Sequence, residues 1–321
     1  MTEKRAATVA VTGANGFVGL ALCRHLLAQG RRVLGVVRDP GACLPQGVER
    51  RVVGPVNAGT DWTAAVAGAG SVVHLAARVH VQWDGAAEAL EEFRRVNTYA
   101  SENLAREAAK SGIQRFVLLS TIKVLGEGKP DRTPYTDTDP MAPQDAYGQS
   151  KAEAEQAVVS EAAALGMEYA VLRPPLVYGP GVRANFLALL RACDTPYPLP
   201  LGGIDNARSL LGLANLIAAI EVMLDHPGAA GGRFLVRDGE DLSTPALAAR
   251  LRHALGRPAR IWPAPVGLMR GLAGLGIACG LVQRLAGSLT AEDSGLRALG
   301  WLPPETVDQG LAQVARWWRG R

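Results

Sequence analysis

The run from Ala6 to Val11 is almost wholly apolar, with valine at 9 and 11, and it predicts a strand buried on both faces. Thr12-Gly13-Ala14-Asn15-Gly16-Phe17-Val18-Gly19 follows, and Leu20 to Gln29 then reads as a helix closed by Gly30. The same alternation recurs downstream. Arg32 to Val37, Glu49 to Val53, Ser71 to Ala76, Arg115 to Ser120 and Glu168 to Leu172 read as strands. Between them lie a short helical piece at Thr63 to Ala67, a long helix from Glu88 to Ser111, and a helix that contains Tyr147. Strands alternating with helices of this length require right-handed crossovers and a parallel sheet. The fold class expected is α/β, a Rossmann-type doubly wound parallel sheet with a smaller C-terminal substrate-binding lobe.

Beyond Arg173 prolines and glycines break the pattern. Short strands are expected at Arg208 to Leu211 and Arg233 to Val236. Helices are expected at Ala214 to Asp225, Pro245 to Leu255, Pro265 to Leu285 and Pro304 to Trp318. The division this implies is a dinucleotide-binding domain over 1–173 that regains chain around 205–240. The substrate lobe then takes 174–204 and 241–321.

Composition narrows the class. At 321 residues, 48% hydrophobic and 20% charged, the chain is globular, and its net charge of +4 is spread without a basic run. No nucleic-acid partner is expected. Cys23, Cys43, Cys193 and Cys279 stand far apart with no ligand spacing, which fits a reduced cytoplasmic protein without disulfides or a metal site. The N-terminus lacks the form of a signal peptide. The apolar stretch from Gly271 to Val282 is too short to span a bilayer, so stable membrane insertion is not expected.

Two motifs carry chemistry. Gly13-x-x-Gly16-x-x-Gly19, between a strand and a helix, has the spacing of a diphosphate-binding turn: one glycine for the turn, one for backbone approach, one for close packing. At the second strand's end, where an acidic residue would hold NAD ribose, the chain reads Val37-Arg38-Asp39. A guanidinium there suits a ribose phosphate, so NADP(H) is favoured and NAD(H) stays open through Asp39. Tyr147 and Lys151 share one helix face at four residues' spacing, and the cation should draw the phenol below its ordinary value near ~10.

With Leu119-Ser120-Thr121, His74-Leu75-Ala76-Ala77, Val96-Asn97, Leu172-Arg173-Pro174, Tyr178-Gly179-Pro180-Gly181 and Leu299-Gly300-Trp301-x-Pro303, these motifs resemble the extended short-chain dehydrogenase/reductases, the nucleotide-sugar epimerase/dehydratase family, over nearly the full length. The resemblance implies Thr121, Tyr147 and Lys151 as catalytic residues. It implies Gly13, Asn15, Gly16, Phe17, Val18, Gly19, Arg38, Leu75, Ala76, Ala77, Asn97, Tyr147 and Lys151 around the cofactor. Asn97 would order the loop after the fourth strand. Lys123, Asn185 and Arg208 fall at positions that contact a UDP-sugar, and a homodimer is expected.

Three stretches, Ser120 to Gly128, Arg173 to Phe186 and Asp205 to Ser209, are similar to reductases of UDP-4-keto-6-deoxy-N-acetylhexosamines. That group makes UDP-N-acetylquinovosamine or UDP-N-acetylfucosamine for surface polysaccharide. Family dehydratases carry an Asp-Glu pair after the Thr. Ile122-Lys123 replaces it here, which disfavours dehydration. The expected function is therefore NAD(P)H-dependent 4-keto reduction. The alternatives are a UDP-hexose 4-epimerase with tightly bound NAD and a non-catalytic dinucleotide sensor.

Overall fold

The first strand shows how the sheet is buried. In β1 (Val9–Thr12), Val9 and Val11 face one core while Ala10 faces another, because successive side chains point to opposite sides. The computed structural model describes residues 8–79, 86–264 and 287–321. The helix expected over 265–285 and Cys279 lie outside the described residues.

The first half of the chain comprises β1, α1 (Phe17–Ala28), β2 (Val33–Val37), β3 (Glu49–Val52), α2 (Thr63–Val66), β4 (Ser71–His74), α3 (Ala86–Arg94), α4 (Ala100–Lys110), β5 (Arg115–Leu119), α5 (Ala146–Leu165) and β6 (Glu168–Arg173). There follow β7 (Leu176–Tyr178), α6 (Ala184–Cys193), β8 (Arg208–Gly212), α7 (Leu213–Asp225), β9 (Arg233–Leu235), β10 (Asp241–Leu242), α8 (Thr244–Ala254), α9 (Ser294–Ala298) and α10 (Val307–Arg319). Among the described residues the large sheet has seven strands in the order β3-β2-β1-β4-β5-β6-β9, every pair parallel. The connection reverses direction between β1 and β4, and ligands of such sheets sit outside the carboxyl ends at that point.

One core packs α1 and α7 on the first face, through Leu22, Leu26, Leu216 and Met223. The second face carries α2, α4 and α5, through Ala65, Leu104 and Val158. A separate core fills the lobe between β7, β8, α6, α8 and α10. Here β10-β8-β7 form a small sheet. Tyr178 joins lobe to sheet: its hydroxyl donates to Asp238 Oδ2 at 2.8 Å, while Asp238 Oδ1 accepts from Gly212 N and Asn215 Nδ2 at 2.7 Å each. Trp318 Nε1 donates to Asp194 at 2.8 Å and so ties α10 to the end of α6.

Two differences from the sequence reading have local causes. β4 ends at His74, two residues early, because the amides of Leu75 and Ala76 turn to the Thr12 hydroxyl instead of a strand. The long helix expected over 88–111 is interrupted by a π-helical turn, Arg95–Tyr99. Asn97 and Thr98 in that turn are drawn inward to the Arg78 backbone and to Ser150.

Candidate active site

Gly13 stands at the carboxyl end of β1 with φ +66°, a conformation that L side chains rarely adopt. A Cβ there would also lie 3.0 Å from Ala76 N, so the turn presses directly on the loop after β4. A Cβ on Gly19 would lie 2.2 Å from Gly13 O, which is why α1 can start so close beneath the turn. α1 begins after Gly16 with no side-chain cap and no acidic residue in its first turn. Its leading N–H groups and positive dipole therefore face an open, anion-favouring cradle. These residues fit the diphosphate of a dinucleotide.

Asn15 is exposed at the tip of the turn, Phe17 packs toward the lobe core beside Gly181, and Val18 packs on the α1 core. At the end of β2, Val37 is buried and Arg38 is exposed. The Asp39 carboxylate accepts from Gly41 N at 2.7 Å and shapes its own turn. Leu75 and Ala76 are half-buried beside Gly13, and Ala77 is exposed. Asn97 is fully buried: its Oδ1 accepts from Arg78 N at 2.8 Å, and its Nδ2 donates to Arg78 O and to Ser150 Oγ at 3.0 Å each. Ser150 in turn donates to Tyr147 O at 2.8 Å. The loop after β4 and the first turn of α5 are thus fastened through one amide.

At the end of β5 two adjacent hydroxyls part company. Ser120 Oγ donates to Glu155 at 2.5 Å and belongs to the buried Glu155–Arg173 ion pair. Thr121 Oγ1 accepts only a long 3.3 Å bond from Lys123 N among its described contacts and is 8% exposed. Asp145 caps α5 by accepting from Gly148 N at 2.6 Å. A Cβ on Gly148 would meet Lys123 O at 2.8 Å, so the Thr121–Lys123 turn packs directly on the helix that presents Tyr147.

Tyr147 sits with its ring edge on Phe93, centroids 5.8 Å apart. Lys151, one turn on, is 1% exposed. The expectation that Lys151 lowers the phenol's pKa is corrected here. Burial and then the Asp145 carboxylate push Tyr147 above its ordinary range. Burial also pulls Lys151 down to about 8, against the raising influence of Glu155. Desolvation is the largest cause for both groups, raising the phenol and lowering the ammonium.

The three residues expected at the substrate take different settings. Lys123 Nζ lies between Asp145 at 2.6 Å and Glu127 at 2.7 Å. Burial opposes its charge, but those hydrogen bonds outweigh it and hold the pKa above its ordinary value. Asn185 is half-buried in the first turn of α6. Arg208 opens β8, and its Nη1 donates to Gly287 O at 2.8 Å. Asp205, a conceivable partner for Arg208, pairs with Arg132 at 3.0 Å. A polar cleft of about 300 Å³ is lined there by Glu127, Lys129, Arg132, Asp205 and Ser288.

Thr12, Ser101, Asp145 and Glu155 were not singled out from sequence. For Thr12 a signal existed, a hydroxyl closing an otherwise apolar strand. The role of Ser101 depends on His74, 27 residues away, and that of Glu155 on Ser120 and Arg173, 35 and 18 residues away.

The family model for the NAD dependent epimerase/dehydratase family matches residues 9–236. This chain belongs to that family. Within the epimerase/dehydratase family it is similar to the UDP-glucose 4-epimerase of Vibrio cholerae, 39% identical over 98% of this chain and 96% of that protein. It is more distantly similar to a 3-beta-hydroxysteroid dehydrogenase of Mycolicibacterium neoaurum, 30% identical over 78% of this chain and 70% of the other. Its fold superposes on a UDP-glucuronic acid 4-epimerase from Bacillus cereus in complex with NAD, with a TM-score of 0.78 at 18% identity, covering 98% and 99% of the two chains.

Proposed function

We propose that the protein interconverts UDP-hexoses at carbon 4, with NAD as a retained cofactor. The observation that carries this is the full-length likeness to a UDP-glucose 4-epimerase, and the presence of Thr121, Tyr147 and Lys151 in the chain supports it. It reverses the order in which the sequence ranked reductase and epimerase. NAD would be held at the Gly13–Gly19 turn, and its oxidised nicotinamide would supply a reversible hydride acceptor for carbon 4 and a positive charge that favours a phenolate.

The chain's own residues do the rest. Tyr147 Oη accepts the proton of the C4 hydroxyl as the carbonyl forms and returns it to the C4 oxygen afterwards. Thr121 Oγ1, with no strong bond of its own, holds that oxygen. Lys151, kept within reach of protonation by Glu155, supports the phenolate. Asn97 keeps the loop after β4 and the Tyr147 turn in register. Arg208 and Asn185 take the diphosphate side of the substrate.

The reductase remains a second reading because Val37 and the exposed Arg38 stand where an NAD-retaining site has an acid, and because Leu125 replaces the tyrosine of the family's Val-Tyr-Gly motif. The test is to incubate the purified protein with UDP-glucose or UDP-N-acetylglucosamine and separate the nucleotide sugars. Formation of the C4 epimer without net change in reduced cofactor supports the epimerase. Stoichiometric oxidation of NADPH or NADH with a UDP-4-keto-6-deoxyhexosamine, and no epimer, replaces it with the reductase.

A further inference from the structure

One proton-ordered chain of hydrogen bonds runs beneath the dinucleotide cradle. Thr12 Oγ1 receives two backbone amides, Leu75 N at 3.2 Å and Ala76 N at 3.1 Å. Both of its lone pairs are then engaged, so its single hydrogen must go to His74 Nδ1, 2.7 Å away. That assignment leaves the imidazole proton on Nε2, which donates to Ser101 Oγ at 2.9 Å. Ser101 passes its own hydrogen to Asn97 O at 2.5 Å. Asn97's side chain grips the backbone of Arg78 from the other end of the same loop. Thr12, His74, Ser101 and Asn97 are all buried, so water offers no ready substitute for a lost partner.

We propose that His74 is a positioning residue for the cofactor: a neutral, Nε2-protonated imidazole that orients the Thr12 hydroxyl and thereby fixes the spacing between the glycine turn and the loop after β4. The spacing is tight at this point, since a methyl group on Gly13 would come within 3.0 Å of Ala76 N. A rotated Thr12 hydroxyl would release two amides and let the loop drift from the turn. Neutrality is secured by the setting, because burial and the nearby Lys151 hold the imidazole down to about 3. A doubly protonated ring would present N–H to an oxygen whose lone pairs are already taken. The inference rests on dinucleotide binding at the glycine turn and goes beyond it by assigning the part that sets the turn's geometry.

The test measures NAD affinity by titration calorimetry, beside thermal stability, for the wild type, Thr12→Val, His74→Leu, their double variant, and His74→Asn. Thr12→Val keeps the side-chain shape, and Ser101→Ala probes the far end of the chain should His74→Leu fail to fold. Expected are about tenfold weaker binding for Thr12→Val and for His74→Leu, the size of one net hydrogen bond. The double variant should be no weaker than the worse single, because both remove the same bond. His74→Asn, whose amide oxygen can accept from Thr12, should recover most of the affinity. A drop in thermal stability with NAD affinity unchanged in Thr12→Val and His74→Leu overturns the proposal, as do fully additive losses. Absence of NAD and NADP binding by the wild type overturns the cofactor reading itself, and this inference with it.

Discussion

At the scale of single residues, the site separates the group that reacts from the groups that hold it. Tyr147→Phe removes the proposed proton carrier and leaves the ring's packing on Phe93 intact. Turnover should fall by about 10²–10⁴-fold while NAD affinity stays within about threefold, read by sugar interconversion and cofactor titration. Retained turnover would remove Tyr147 from the chemistry. Lys151 gives a pH signature. Its folded pKa, about 8, lies below its ordinary 10.5, so between those values the unfolded chain binds more protons than the folded one. Stability relative to Lys151→Met should therefore rise with pH from about 8 to 10.5 and be level below about 8, measured by urea melts across that range. A flat difference would mean that Lys151 is not desolvated. The Tyr147–Lys151 pair was legible because four-residue spacing on a helix guarantees a shared face. The sign of the phenol's shift was not, because burial is a tertiary property and, with the Asp145 carboxylate, it raises the phenol.

At the scale of elements, the site depends on contacts between a strand end, a turn and a helix. Glu155, fully buried on α5, receives Ser120 from the end of β5 and Arg173 from the end of β6. Glu155→Ala leaves the Arg173 guanidinium buried without its carboxylate. It should cost about 3–5 kcal/mol in urea unfolding, with a loss below about 1 kcal/mol counting against the pair as a structural clamp. The strand–turn–helix around Gly13, Gly16 and Gly19 could be read from sequence because each glycine answers a local steric demand. The π-helical turn at Asn97 could not. Its cause is an inward pull from Arg78 and Ser150, 19 and 53 residues away, within a stretch whose composition is uniformly helical. The ion pairs of Lys123 were equally out of sight: its ammonium bridges Asp145, the cap of α5, and Glu127.

At the scale of the whole molecule, alternating apolar runs and helices dictated the seven-stranded parallel sheet, and with it the reversal point where the glycine turn meets the loop after β4. The lobe was less readable. β7, of three residues, and β10, of two, are too short to leave a periodic signal, and their place is set by pairing with β8. Among the described residues no helix is long and apolar enough to cross a membrane. Epimerisation at carbon 4 requires that the hydride removed from the sugar return to the same sugar, which ties the lobe, the cradle and Tyr147 into one cycle. UDP-glucose deuterated at carbon 4 tests this directly when the nucleotide sugars are followed by NMR in the presence of NAD. The account predicts UDP-galactose that keeps its deuterium at carbon 4, with no accumulation of reduced cofactor. Unchanged UDP-glucose, or a product that has lost the label to free cofactor, would contradict it.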